Sequence, residues 1–160
     1  MTNASFANKR TLITIGQNIV ISEDIVKRDH PLAIIALTDS AGNGGDITIN
    51  PSVRNISASL FAEHGISSSG ANQLAILGSL ISANTTGGAS ASPEVCPYFI
   101  TSCTQLIAER YDLEKLRPDF DKNDASSKAT GAIALANPGV ATITEYDGRI
   151  LADPPPGLEK

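Results

Sequence analysis

The chain has 160 residues, 41% of them apolar but only 4% aromatic and none Trp, so the core of a single domain must be built from Ile, Leu, Val and Ala. A formal charge of −5 excludes nucleic-acid binding by phosphate neutralisation, which needs clustered Lys and Arg. No window approaches the run of about 18 apolar residues of a spanning helix, so no direct membrane insertion is expected, and the first ten residues lack a signal-peptide core.

From Thr11 to Ala83 short β-branched runs alternate with turn chemistry. Leu12 to Ile15, Ile19 to Ile21, Ala33 to Leu37, Ile47 to Ile49, Ile56 to Ala62 and Gln73 to Ala83 read as strands. Gly16-Gln17-Asn18, Asp39 to Gly45, Asn50-Pro51-Ser52 and Ser67 to Ala71 read as turns. The pattern repeats. Gln17 to Ile21, Gly45 to Ile49 and Asn72 to Ile76 align at intervals near 27 residues, and Ala33 to Leu37 recurs at Ser59 to Ala62. Such a period is the mark of a solenoid, whose units cannot bury their apolar faces alone. Three short strands per unit predict an all-β solenoid, a short right-handed parallel β-helix of about three coils, with Ala33, Ala36, Ala58, Ala62, Ala75 and Gly78 suited to a narrow interior.

Coils over 11–92 leave two open ends to cover. Residues 93–120 hold a cysteine loop and then an amphipathic stretch, Ser102 to Phe120, with Leu106, Ile107, Tyr111 and Leu113 or Leu116 at helical spacing. This predicts an α-helical cap ended by Pro118, with Asp112, Glu114, Lys115 and Arg117 on its solvated face. Over 121–160 come a polar loop (Asp121 to Ser127), strand candidates at Ala132 to Ala136 and Thr142 to Tyr146, and a stop at Asp153-Pro154-Pro155-Pro156-Gly157. The whole of 1–160 is read as one domain.

Cys96 and Cys103 are the sole cysteines, and their spacing fits a small disulfide-closed loop in an oxidising compartment. Asp39, Asn43 and Asp46, in Asp39-Ser40-Ala41-Gly42-Asn43-Gly44-Gly45-Asp46, carry the oxygens and glycines of a calcium loop. The stretch departs from an EF-hand at Ala41 and Asn50, and the turn reading is the simpler one. No other cofactor is expected. Glu63-His64 is an acid/base candidate, but adjacent strand residues diverge. Gly65 to Gly70 misses the spacing of a serine nucleophile elbow and reads as a flexible loop.

The run Pro31 to Asp39 leading into Gly42 to Ile49, Cys96-Pro97-Tyr98, the helix Thr104 to Leu116, and the ending Glu145-Tyr146-Asp147 to Asp153-Pro154-Pro155-Pro156 together carry a resemblance. Over roughly Thr11 to Leu158 the chain resembles C-terminal domains of large secreted or surface-attached proteins of uncultivated small-genome bacteria, some with pilin-like N-terminal segments. The resemblance implies export and no nameable enzymatic activity. The expected function is therefore a non-catalytic extracellular structural or binding module of a bacterial cell surface, adhesive in character and not an enzyme, with a surface protein or glycan as partner. The alternatives are a β-helix carbohydrate-active enzyme of the polysaccharide lyase or hydrolase type, and a self-assembling filament or pilus subunit.

Overall fold

Runs such as Leu-Ala-Ile-Ile-Ala-Leu favour extended backbone because β-branched side chains pack well on a pleated surface. In the computed structural model, which describes residues 10–26, 30–83, 85–87, 113–129 and 139–149, these runs form eleven strands. They are β1 (Arg10–Ile15), β2 (Ile19–Ile21), β3 (Leu32–Leu37), β4 (Ile47–Ile49), β5 (Asn55–Ile56), β6 (Ser59–Ala62), β7 (Gly65–Ser68), β8 (Leu74–Leu77), β9 (Leu80–Ser82), β10 (Thr85–Thr86) and β11 (Thr142–Glu145).

Every strand pairs in parallel with its equivalent one coil away. Three sheets result: β1-β3-β6-β9 first, β2-β4-β7-β10 second and β5-β8-β11 third, the last extended by a bridge from Ile25 to Ile56. The chain is thus an all-β parallel solenoid of about three turns. A further layer begins with β9 and β10, and β11 completes its third side only after the chain has left at Gly87 and returned.

Alternation sends one side chain in two toward the centre. The inward columns are Leu12–Ile34–Leu60–Leu80, Ile19–Ile47–Ile66 and Ile25–Ile56–Ile76, and all belong to one apolar cluster. Each fully buried Ile or Leu contributes about 1.5–3 kcal/mol relative to exposure. Outside the third sheet Ala75 and Ile143 pack with Ala129, which ties the returning segment to the coils.

Three expectations are corrected. Ile56 to Ala62 and Gln73 to Ala83 each contain two strands, parted by corners at Ser57-Ala58 and Gly78-Ser79. Those corners stack so closely that a Cβ on Gly78 would lie 2.1 Å from the Ala58 carbonyl oxygen. Gly65 to Ser68 is strand β7 rather than a flexible loop. The repeat is also irregular: Ile19 pairs with Ile47, as expected, but Ile47 pairs with Ile66 and not with Leu74, which lies in the third sheet. The coil that begins at β3 is longer than those that begin at β1 and β6, because the Asp39 to Gly45 loop has no counterpart between β1 and β2 or between β6 and β7.

The predicted cap lies mostly outside the described residues, and its described end, Leu113–Leu116, is a 3-10 turn. The 3-10 turn Ala125–Ser127 follows, with the Asp124 carboxylate accepting from the Ser126 backbone N–H at its start. Thr142 to Tyr146 is met by β11. Cys96, Cys103, Ala132 to Ala136 and the proline run lie outside the described residues.

Candidate functional site

The corner between the first and second sheets is where the sequence concentrates its polar candidates. Asn18 ends the first corner, residues 38–46 bulge from the second, and Glu63-His64 form the third. Polar side chains link the layers. The Asn18 Oδ1 accepts from the Asp46 backbone N–H at 3.0 Å, and the Asp46 carboxylate accepts from the Gly65 N–H at 3.1 Å. Glu63 Oε2 reaches back to accept from the Thr38 N–H at 2.7 Å, while the His64 N–H donates to the Gly45 carbonyl at 2.9 Å. Gly44 sits so tightly on the first corner that a Cβ there would meet Gln17 N at 2.3 Å, and its φ of +80° suits glycine.

The Asp39–Asn43–Asp46 loop is therefore organised as an Asx turn. The Asp39 carboxylate accepts from the Asn43 side chain at 3.0 Å, from the Asn43 N–H at 2.9 Å and from the Ala41 N–H at 2.8 Å. The Asn43 side chain first, then these backbone donors, hold its pKa below the ordinary carboxylate value. Asp39 and Asn43 are brought together, whereas Asp46 is turned to the coil beyond. A cation at this loop has to displace N–H donors already seated on Asp39.

Glu63 is held below its ordinary pKa by the Thr38 N–H, then by the Thr38 side chain, with a smaller contribution from the His64 charge. A carboxylate with a lowered folded-state pKa stabilises the fold fully above its unfolded pKa and loses that contribution as pH falls through the folded one. Glu63→Gln is therefore expected to lower the melting temperature at pH 7 and to match the wild type once the pH is well below about 4.5, read by melting curves across that range.

A second locus overturns the expectation of a solvated Arg117. Arg117, just past the 3-10 turn Leu113–Leu116, is 1% exposed, whereas Glu114 and Lys115 beside it face solvent. Its guanidinium threads between coil corners and donates to the carbonyls of Val53 at 2.6 Å, Ser69 at 2.7 Å, and Asn50 and Leu116 at 3.3 Å, and to the Ser68 hydroxyl. Burial pushes its pKa down to about 10. Gln73, also fully buried, fastens the same returning chain: its side chain donates to Val140 O at 2.7 Å and accepts from Ala129 N–H at 3.1 Å. Neither role had a local signal, because the partners lie about 50 to 70 residues away in sequence.

The outward faces differ in chemistry. On the second sheet the outward column is Val20–Thr48–Ser67, with the two hydroxyls 3.5 Å apart. On the first it is Ile13–Ile35–Phe61–Ile81, flanked by Ile15–Leu37, and Ile13, Ile15 and Ile81 are 51%, 65% and 52% exposed. An open depression of about 470 Å³ at the far end of the coils is lined by Leu80, Thr86, Leu113, Thr144 and Tyr146 among others. Among the described residues no three His, Cys, Asp or Glu side chains group as metal ligands, and no helix is long and apolar enough to cross a membrane.

The fold defines the class as a parallel β-solenoid. Comparison with known protein families gave no match. Comparisons with curated proteins and with solved structures likewise gave none.

Proposed function

We propose that the chain is a non-catalytic structural and binding module, displayed on the outside of a bacterial cell, that meets its partner through the outward face of the first sheet. The observation that carries this is the outward apolar ladder Ile13–Ile35–Phe61–Ile81, exposed at its two ends and half-buried between them. A merely solvated sheet shows polar residues on its outer side, as Thr48 and Ser67 of the second sheet do, and contiguous apolar surface marks interaction sites. The charge state of three carboxylates agrees with the same reading. A glycosidase needs one carboxyl held protonated, whereas Asp39, Glu63 and Asp124 are all shifted toward the charged form by N–H and hydroxyl donors. They act as rungs between coils and turn staples.

The finer architecture belongs to the proposal too. Right-handed coiling follows from the handedness of parallel β-crossovers, and a helical cap from Ser102 onward would cover the end beyond β9 and β10. Display outside the cell rests on the resemblance and on Cys96 and Cys103 as a disulfide pair. Two measurements test the proposal together. Native mass spectrometry of protein made in an oxidising compartment is expected to show a mass lower by two hydrogens than after reduction. Incubation with a panel of polysaccharides is expected to leave every chain length unchanged; cleavage of any of them would overturn the non-catalytic reading.

A further inference from the structure

We infer that the depression at the far end of the coils is a binding site for a neutral sugar. It is built around inward positions of the last layer rather than on the outward ladder of the first sheet, so it stands independently of the reading of that face.

Inward positions change character in the last layer. Leu60 is followed by Leu80 on the next coil, but Ala62 is followed by Ser82, Ile66 by Thr86 and Ile76 by Thr144. A lumen packed with hydrocarbon through the coils below therefore ends in hydroxyls. A polar last layer is what the end of any solenoid requires, yet that requirement is met without a hollow. Here Leu80, Thr86 and Thr144 line an open depression of about 470 Å³ together with Ser79, Leu113 and Tyr146, the last 54% exposed. The volume falls within the range of small-molecule sites.

The lining selects by what it lacks. Among the described residues no Lys, Arg, Asp or Glu lines this depression, whereas the one of about 530 Å³ beside the 3-10 turn Leu113–Leu116 is lined by Glu114, Lys115, Asp121 and Lys122. An anion would give up solvation here and meet no cation, and an amine would meet no carboxylate. A wholly apolar ligand would cover the hydroxyls of Ser79 and Thr144 and leave them unpaired. A sugar ring satisfies all of these constraints. Its hydroxyls replace water on Ser79, Thr144 and the Tyr146 phenol, while its C–H face lies against the aromatic ring or against Leu80 and Leu113. The Thr86 hydroxyl pairs with that of Ser82 at 2.8 Å, which leaves Thr144 and Tyr146 as the principal partners. A cap ending at Leu113 would border the depression, since Leu113 is one of its walls. With an open mouth and one aromatic ring the affinity is modest, a dissociation constant on the order of 1 mM.

NMR titration of the full chain tests this, with glucose, galactose, mannose, N-acetylglucosamine, maltose and cellobiose as neutral probes and glucuronate as the charged one. At least one neutral sugar is expected to bind saturably, and at least about tenfold more tightly than glucuronate. Tyr146→Ala and Thr144→Val are each expected to weaken that binding about fivefold. Both residues are exposed, so both variants should melt within a few degrees of the wild type. Ile13→Ser, on the outward ladder, is the control and should bind as the wild type does. The inference is overturned by the absence of saturable binding to every neutral sugar, by undiminished binding in Tyr146→Ala and Thr144→Val, by glucuronate binding as tightly as its neutral counterparts, or by loss of binding in Ile13→Ser. Polysaccharide cleavage is a separate readout, so failure of this site is distinguishable from failure of the non-catalytic reading.

Discussion

Arg117→Met is expected to lower the unfolding free energy by about 3 kcal/mol, seen as a lower urea midpoint with an unchanged slope. The substitution keeps an unbranched apolar stem and removes every donor. The carbonyls of Val53 and Ser69 and the Ser68 hydroxyl then lose a partner inside the protein, and an unsatisfied buried acceptor costs about 1–3 kcal/mol. Part of that loss is offset, because an unpaired buried guanidinium is itself expensive. The lowered pKa expresses this cost: a base whose folded pKa is about 10 weakens the fold in its charged form, and relief comes only as pH rises through that value. Arg117→Lys retains the charge but not the planar fork that spans several carbonyls, so it should fall close to the methionine variant. In Arg117→Ala, low concentrations of guanidinium ion during a thermal melt should recover part of the lost melting temperature, an outcome that a simple packing defect would not produce.

Arg117 also shows where the sequence ceases to be legible. The coils could be read because their signal is local: β-branched triplets, turn residues between them, and an interval that recurs. Ile19 to Ile21, Ala33 to Leu37, Ile47 to Ile49 and Thr142 to Tyr146 were all identifiable as strands on that basis, and the parallel solenoid followed. β7 was not, because two of its four residues are the serines Ser67 and Ser68. The inward Ser68 is tolerated since its hydroxyl donates to the Ile49 carbonyl on the coil below and accepts from Arg117, 49 residues ahead. A serine run reads as loop unless those partners are known. Corners inside Ile56 to Ala62 and Gln73 to Ala83 were hidden for a related reason: a solenoid corner needs little turn chemistry when the next coil supplies its hydrogen bonds, as Ser79 O does for Leu60 N–H at 2.8 Å. The Asp39 to Asp46 stretch was legible as a turn and ambiguous as a site, because calcium loops and Asx turns use the same residues.

The corner glycine at position 78 is the place where one methyl group does the most damage. A Cβ there would stand 2.1 Å from the Ala58 carbonyl oxygen and 2.5 Å from the Ala58 carbonyl carbon, both main-chain atoms. No rotamer change relieves a collision between backbones. Relief requires the corner before β9 to lift off the one before β6. That motion strains the Leu60 N–H to Ser79 O bond of 2.8 Å and the Gly78 N–H to Glu145 O bond of 2.8 Å that seats β11. Gly78→Ala is therefore expected to cost about 4 kcal/mol or more, at the extreme of single substitutions. Two other glycines separate the causes. At Gly139 an added methyl meets nothing within 4 Å, and the change should lie within about 0.5 kcal/mol of neutral. At Gly42 the space is equally open but φ is +81°, so alanine should cost about 1 kcal/mol from backbone conformation alone. Urea denaturation of the three variants should rank them Gly78, Gly42, Gly139. Equal midpoints for Gly78→Ala and Gly42→Ala would mean that the coil corners do not stack as closely as described, and the registry of β6 on β9 would have to be redrawn.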